Sequence, residues 1–171
     1  MICVLTGNGK GKTTSAMGQI LRALGRGQKV CLIQLFKGEN FYGEQRILAG
    51  LKHLDFFAFA PKHPACFTDI PLSDVKQQCA RAFACFHKIA RGKKKYGLIV
   101  LEEFNIALRD KMLTCADLRA AVKECPPETN IIITGRGAPR ALIACADLVT
   151  EMKEIKHPFA RGVPAREGWE F

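Results

Sequence analysis

The sequence predicts an α/β fold in which a mostly parallel sheet carries helices on both faces. Short apolar runs alternate along the chain with segments whose apolar residues have helical spacing, a pattern typical of such folds. The runs lack strict polar alternation, as strands buried on both sides do. With 171 residues, 48% of them hydrophobic and 25% charged, the chain is long enough for one core. We therefore expect a single domain over residues 1–171.

Each apolar run is interpreted as a strand. The six expected strands lie at residues 2–5, 30–35, 53–59, 98–101, 131–134 and 148–152. Three segments between them predict helices, at residues 13–26, 73–90 and 114–123. In the first helix, Leu21 is expected on the buried face. Ser73 is expected to cap the second helix, and Thr114 with Asp117 predicts a capping box for the third.

Charge and cysteine content limit the function classes. Lys and Arg number 26 against 16 Asp and Glu, and the net charge of +10 favours polyanionic partners: nucleic acid, anionic membrane or phosphorylated small molecules. The eight cysteines are scattered without a CxxC pair, which favours reduced thiols in a cytoplasmic protein over a disulfide or zinc scaffold. No apolar stretch approaches the ~18 residues of a membrane helix, and the N-terminus lacks the pattern of a signal peptide.

The strongest chemical signal is Thr6-Gly7-Asn8-Gly9-Lys10-Gly11-Lys12-Thr13-Thr14, between the first strand and the first helix. Its glycines let backbone N–H groups approach phosphate oxygens, and the helix N-terminus favours negative charge. Lys12 is expected to contact the phosphates, and Thr13 to ligate Mg²⁺. The usual pattern has its first glycine where this chain has Thr6, so the loop is a short variant. The alternative is a glycine turn that only opens a helix.

Two further segments are expected at the same edge of the sheet. The fourth strand ends in Glu102 and Glu103, and an acid in this position lies beside the metal in phosphate-loop proteins. Arg136 follows the fifth strand, where it could contact phosphate or close the site. A solvated strand end and a plain turn are the alternatives. The basic residues between 91 and 95 fit a solvated helix end, and no interleaved aromatic residues indicate nucleic-acid binding there.

These segments, with others, resemble a known family. The chain also contains, in order, Gln34-Leu35-Phe36-Lys37-Gly38, Leu101-Glu102-Glu103-Phe104-Asn105-Ile106-Ala107-Leu108, Thr134-Gly135-Arg136, Ala146-Asp147-Leu148-Val149-Thr150-Glu151-Met152 and Lys156-His157-Pro158-Phe159. Together they closely resemble the P-loop-type ATP:corrinoid adenosyltransferases, the cobinamide/cobalamin adenosyltransferase family, whose loop has the same short register. The resemblance spans essentially the whole chain and implies a P-loop (RecA-like) fold.

The resemblance implies an enzyme of cobalamin biosynthesis. Such an enzyme transfers the 5′-deoxyadenosyl group of ATP to the cobalt(I) of a reduced corrinoid and releases triphosphate. The implied metal is Mg²⁺, with Mn²⁺ as an alternative ion, and the implied substrates are ATP and the corrinoid. We expect a cytoplasmic homodimer that depends on an external cobalt reductant such as a flavoprotein. Neither a membrane nor nucleic acid is expected as a partner.

The resemblance also assigns roles to residues of this chain. Lys12, Thr13 and Glu103 match the catalytic positions, with Thr13 and Glu103 as Mg²⁺ ligands. The positions matched to ATP binding are Gly7, Asn8, Gly9, Lys10, Gly11, Lys12, Thr13, Thr14 and Arg136. Phe67 matches an aromatic residue that displaces the lower ligand of the corrinoid, but Asp69 replaces the second aromatic of that motif. Many members also carry an N-terminal helix that covers the active site, and here the first strand begins directly.

Two other function classes remain open. A P-loop small-molecule kinase or NTPase would cleave ATP at the γ-phosphate and release ADP instead of triphosphate. A basic nucleic-acid-binding ATPase of the RecA-like class would bind DNA with salt-dependent affinity and hydrolyse ATP faster in its presence. Analysis of the nucleotide products separates these functions from adenosyl transfer.

Overall fold

The computed structural model describes residues 1–37, 42–59 and 70–170, and these form one six-stranded sheet with flanking helices. In chain order the elements are β1 (Ile2–Thr6), α1 (Lys12–Gly25), β2 (Val30–Leu35), α2 (Gly43–Leu48), β3 (Leu54–Phe59), α3 (Leu72–Ala90), β4 (Leu98–Glu102), α4 (Phe104–Arg109), α5 (Cys115–Lys123), β5 (Asn130–Thr134), α6 (Arg140–Ile143), β6 (Leu148–Glu151) and a 3₁₀ helix (Pro158–Arg161). The predicted α/β fold is confirmed.

All neighbouring strands are parallel, in the order β3-β2-β4-β5-β1-β6. Parallel strands need crossover connections, and helices such as α1 between β1 and β2 supply them. Because the strands run in one direction, their carboxyl ends meet at a single edge. Ligands of open α/β sheets bind outside this edge.

The two faces of the sheet bury separate apolar clusters. In β2, Cys31, Ile33 and Leu35 belong to the cluster under α3 and α5, whereas Val30 and Leu32 belong to the cluster under α1. Successive side chains of a strand point to opposite faces. A strand covered on both faces therefore has few polar positions, and in β2 the one polar residue is the buried Gln34, which explains the nearly continuous apolar runs of the sequence.

The predicted helix caps have different outcomes. Ser73 does not cap α3: the helix begins one residue earlier, Pro71 is the N-cap residue, and the Ser73 hydroxyl donates to the carboxylate of Asp74 at 3.3 Å. The capping box predicted for α5 is half confirmed: Thr114 Oγ1 accepts a hydrogen bond from the backbone N–H of Asp117 at 3.1 Å, but the Asp117 carboxylate accepts from the Thr114 hydroxyl, at 2.6 Å, and not from its backbone. Local sequence thus located both helices, but it fixed the start of only one.

The expected position of Leu21 is wrong. Its side chain is 56% exposed, whereas Ala16, Met17 and Ile20 are buried against the sheet. Each residue of an α-helix is rotated by about 100° from the previous one, so Leu21 is turned away from the stripe that contains Ala16 and Ile20. The buried face of α1 is narrower than predicted.

The described residues allow a comparison with the expectations for the cysteines, for membrane-spanning helices and for the basic residues between 91 and 95. The seven cysteines in that part of the chain are free, as predicted. No helix among the described residues combines the length and the apolar character needed to span a lipid bilayer. The basic run is partly paired, because Arg91 binds Glu124 and Lys94 binds Asp55.

Two loops at the carboxyl edge begin with a residue in the left-handed backbone region. Phe36 follows β2 with φ 60°, and Glu103 follows β4 with φ 64°. Few residues other than glycine adopt this conformation, and it occurs most often where a functional site requires it. These two turns direct Lys37 and Glu103 into the same space above the sheet.

Candidate active site

A cleft of about 660 Å³ opens at the carboxyl edge of the sheet, between the loop after β1, helix α2 and the C-terminal segment. The residues that line it are Asn8, Gly9, Lys10, Gly11, Lys12, Thr13, Thr14, Met17, Lys37, Tyr42, Gly43, Glu44, Ile47, Glu103, Arg136, His157, Gly168, Trp169 and Glu170. The structure thus brings nearly all the predicted ATP-binding residues to one cleft. Gly7 lies in the same loop.

The loop after β1 is closed around Lys12. The Lys12 ammonium is buried and donates hydrogen bonds to the backbone carbonyls of Gly7 and Gly9, both at 2.7 Å. Burial lowers the pKa of Lys12, an effect that the nearby Glu103 partly opposes. A buried ammonium whose hydrogen bonds go to neutral carbonyls is well suited to bind an anion.

The glycines of this loop are also needed for packing. The N–H of Gly9 donates to the carbonyl of Met152 at 2.7 Å, and a Cβ at Gly9 would lie 2.7 Å from that oxygen. Gly7 has φ 95°, and a Cβ at this position would collide with the backbone of Met152. The segment after β6 therefore holds the loop in place, a constraint that the loop sequence alone does not reveal.

Thr13 and Glu102 form the polar centre of the cleft floor. Thr13 Oγ1 donates to Glu102 Oε1 at 2.5 Å, and Thr134 Oγ1 donates to Glu102 Oε2 at 2.6 Å. Lys37 Nζ donates to both Thr13 Oγ1, at 2.9 Å, and Glu102 Oε1, at 3.1 Å. We call the position beside Thr13 Oγ1 and Glu102 Oε1 the cation seat, because a cation, the Lys37 ammonium, lies there.

Glu103 lies next to this centre and faces the cleft. Its backbone N–H donates to Thr134 Oγ1 at 3.0 Å, whereas its Oε2 is buried and has no hydrogen-bond partner among the described residues. Burial and the negative charge of Glu102 raise the pKa of Glu103. A buried carboxylate oxygen without a partner is costly, which indicates that a proton or a cationic ligand completes this part of the site.

The turn after β5 completes the floor. Asn105 Nδ2 donates to the carbonyls of Leu5, at 3.1 Å, and Gly135, at 2.9 Å, and so ties the ends of β1 and β5 together. Gly135 has φ 125°, and a Cβ there would lie 3.1 Å from Glu103 Oε2. Arg136 follows at the exposed rim, where it adds a positive charge to the cleft.

The C-terminal segment forms a further wall of the cleft. Lys10 Nζ donates to the carbonyl of Trp169 at 2.6 Å, pairs with Glu170 at 3.3 Å and lies 4.9 Å from the centroid of the Trp169 indole. Large apolar side chains are exposed along this segment, at Ile155, Phe159 and Trp169. Exposed apolar side chains beside a cleft mark a surface suited to an apolar ligand.

The sequence interpretation missed parts of this site. It assigned no role to Lys37, although the residue lies within a quoted motif, and it did not place Thr134 or Asn105 beside the acids. Lys37 is located by the left-handed turn at Phe36, and the sequence carries no signal for that turn. Phe67 and the segment around it lie outside the described residues.

The comparisons with known proteins agree with this geometry. The family described as ATP:corrinoid adenosyltransferase BtuR/CobO/CobP matches residues 1–171. The corrinoid adenosyltransferase of Pseudomonas aeruginosa is 36% identical over the whole of this chain and 83% of its own length. That of Sinorhizobium sp. is 35% identical, with 80% of its length covered, and that of Escherichia coli K12 is 32% identical, with 85% covered. The chain therefore belongs to the ATP:corrinoid adenosyltransferases, enzymes that transfer the adenosyl group of ATP to the cobalt of a corrinoid.

Proposed function

We propose that the cleft holds the triphosphate of ATP at the loop after β1, so that the ribose C5′ faces a reduced corrinoid bound at the C-terminal wall. The observation that carries this proposal is the direct hydrogen bond between Thr13 and Glu102, formed at a helix N-terminus that follows a glycine loop. Lys12 lies beneath the same loop. This is the arrangement with which P-loop proteins bind a nucleotide and its metal.

In this reaction cobalt(I) donates an electron pair to C5′, the C5′–O bond breaks, and triphosphate leaves with the bonding pair. Cobalt is the nucleophile, so no residue is needed as a general base. Lys12, Arg136 and the N–H groups at the start of α1 stabilise the charge that develops on the triphosphate. The walls of the cleft hold C5′ and cobalt in line, which removes much of the entropic cost of their encounter.

The residues at the cation seat fit Mg²⁺. A hydroxyl and carboxylate oxygens are the hard ligands that this ion prefers, and they are supplied by Thr13, Glu102 and Glu103. The Glu103 Oε2 atom without a partner supports a cation on the cleft side of that carboxylate. We propose Thr13 and Glu103 as the metal ligands, with Glu102 orienting the Thr13 hydroxyl. Bound there, Mg²⁺ neutralises part of the triphosphate charge.

The corrinoid is proposed to lie against the exposed apolar side chains of the C-terminal segment. A corrin ring is large, with apolar faces and polar amides at its rim. The combination of Phe159 and Trp169 with the charged residues Lys10 and Glu170 matches both parts. From the family resemblance we also propose Phe67 as a corrinoid-contacting residue. The same resemblance supports a cytoplasmic homodimer that receives electrons from an external reductant such as a flavoprotein.

The test is anaerobic incubation of the protein with ATP, Mg²⁺ and chemically reduced cobalamin. We expect the optical spectrum of a cobalt–carbon product and the release of one triphosphate for each adenosyl group transferred. Release of ADP with no cobalt–carbon product would instead indicate a kinase or NTPase. Stimulation of ATP hydrolysis by DNA would indicate the third class. Omitting the reductant is the matched control, because only cobalt(I) is nucleophilic enough for the transfer.

A further inference from the structure

Lys37 is a buried lysine bonded to the oxygens of the cation seat. Its side chain is 10% exposed, and its ammonium donates to Thr13 Oγ1 at 2.9 Å and to Glu102 Oε1 at 3.1 Å. The same ammonium lies 3.9 Å from the carboxylate of Glu44 and 4.8 Å from the centroid of the Tyr42 ring. Each of these contacts favours the charged form of the side chain.

The position of Lys37 is fixed by the backbone. Phe36, the preceding residue, is 3% exposed and has φ 60°, so the chain turns sharply into the cleft. Burial disfavours the charged ammonium, but the negative charges of Glu102 and Glu103 outweigh this effect, and the pKa of Lys37 is raised. The carboxylates that surround the Lys37 ammonium therefore stabilise its positive charge.

Glu102 explains why a cation is needed at this position. Its side chain is 0% exposed, and its other partners, Thr13 and Thr134, are neutral hydroxyls. Among the residues that the structure describes, Lys37 is the charged group bonded to Glu102, and removing the charged partner of a buried carboxylate is strongly destabilising. A divalent ion bound to Thr13 Oγ1 would compete with the Lys37 ammonium for that oxygen, and from there its charge would replace the ammonium as the counter-charge of Glu102.

We propose that Lys37 is the resident cation of the seat: its ammonium neutralises Glu102 in the nucleotide-free enzyme and yields the seat to the divalent ion that arrives with ATP. This inference rests on the proposed role of the cleft in binding Mg²⁺ and ATP. It assigns to Lys37 a positioning role, because the exchange makes metal binding depend on the nucleotide. The triphosphate supplies further ligands to the ion, and without it the ion does not displace the ammonium.

The first measurement is Mn²⁺ binding to the nucleotide-free protein, followed by the EPR signal of the free ion. We expect weak binding to the wild type. In Lys37→Met the affinity should rise by about tenfold or more, the order expected when a charged hydrogen-bond partner no longer competes for the carboxylate. The matched control is Lys10→Met, which removes an equal charge from the same cleft without touching the seat. It should bind Mn²⁺ as the wild type does.

The second measurement is ATP affinity by calorimetry, with EDTA and with excess Mg²⁺. In EDTA, Lys37→Met leaves Glu102 without a cation, so its charge should repel the triphosphate and weaken ATP binding by about tenfold. With Mg²⁺ the ion takes the seat, and the affinity should stay within about threefold of the wild type. If Lys37→Met does not fold, as judged by its thermal transition, Lys37→Gln is used for both measurements, because its amide can still donate to Glu102.

Two results would overturn the proposal. An unchanged Mn²⁺ affinity in Lys37→Met would show that the ammonium does not compete for the ion. Equal losses of ATP affinity with EDTA and with Mg²⁺ would make Lys37 an ordinary phosphate-binding residue. Failure of the underlying site is distinguishable, since the wild type would then bind ATP equally with and without Mg²⁺. If the ATP affinity of the wild type depends on Mg²⁺ and that of Lys37→Met shows the same dependence, the proposal for Lys37 fails while the underlying site stands.

Discussion

The loops after β1 and β2 each place a buried lysine in the same cleft, but the two ammonium groups have different partners. Lys12 donates to two neutral carbonyls of its own loop, whereas Lys37 is bonded to a carboxylate from another strand. Burial lowers the pKa of Lys12, while the nearby carboxylates raise the pKa of Lys37 despite its burial. The two lysines at this edge of the sheet therefore differ both in their partners and in the direction in which their pKa is shifted.

The two lysines differ in what must replace the ammonium group before it can leave its partners. Carbonyl groups released by Lys12 can be solvated by water in the open cleft, so a phosphate can attract this ammonium at little cost. The carboxylate paired with Lys37 needs another cation before the ammonium can leave. In the proposed site, anion binding is therefore expected to centre on the first loop and cation binding on the second. The predictions below test this division, beginning with the largest expected effect.

Lys12→Ala should lower both ATP affinity and adenosyl transfer by about 100-fold or more, since it removes a charged donor from the leaving group. The thermal transition should change little, because the bonds lost are to neutral carbonyl groups that water entering the open cleft can solvate. Calorimetry with ATP and an optical assay with cobalt(I) supplied directly measure the two effects. Unchanged affinity and turnover would contradict the assignment of this loop to phosphate.

Replacement of the two acids should separate stability from metal dependence. Glu102→Gln should reduce the free energy of unfolding by about 3 kcal/mol, because Lys37 would remain charged and buried without its partner. Glu103→Gln should leave the fold stable and reduce Mg²⁺-dependent turnover by about tenfold. Denaturant unfolding and a Mg²⁺ titration of the rate provide the measurements. If only Glu102→Gln alters the metal dependence, Glu102 and not Glu103 is the metal ligand.

The raised pKa of Glu103 predicts a pH dependence of stability in EDTA. The ordinary value is 4.5, so the unfolded chain loses this proton at a lower pH than the folded protein does. The contribution of Glu103 to stability should therefore decrease as the pH rises from about 4.5 towards neutrality. Urea unfolding of the wild type and Glu103→Gln over this range should show a difference that grows in favour of the variant. A constant difference would contradict the raised pKa.

Lys10→Ala should have the smallest effect. This lysine lies at the rim, with its side chain 42% exposed and paired with the C-terminal segment rather than with the cleft floor. Exposed ion pairs contribute about 0–1 kcal/mol, so stability should be almost unchanged and ATP affinity should fall by only about threefold. A loss as large as that of Lys12→Ala would remove the distinction between rim and interior lysines.

The sequence predicted the architecture well because the buried strands and long helices carry strong periodic signals. It did not predict α2, α4 or α6, which have four to six residues each and are too short for a periodic pattern. The capping prediction at Ser73 was wrong because Pro71, with its fixed φ, precedes the first turn and sets the start of α3.

Within the candidate site, the grouping of the glycine-loop residues at one cleft could be predicted because these residues are contiguous in the sequence. The different directions in which the Glu102 and Glu103 side chains point could not be predicted. Glu102 continues β4 and lies on the Thr13 side, while the left-handed backbone at Glu103 turns the second carboxylate towards the cleft. Contacts that join distant segments, such as Lys37 to Glu102 and Lys10 to Glu170, depend on the sheet order and on turns that have no sequence signature.

The C-terminal wall gives the protein an optical reporter. The chain has one tryptophan, and its indole lies against Lys10 in the phosphate-binding loop. The fluorescence of a partly exposed indole changes when a neighbouring charge moves, so the emission of Trp169 should shift as ATP draws Lys10 towards the triphosphate. A corrinoid bound nearby should quench the same emission by energy transfer. The order in which the two substrates bind can therefore be followed in the unlabelled protein by stopped-flow fluorescence.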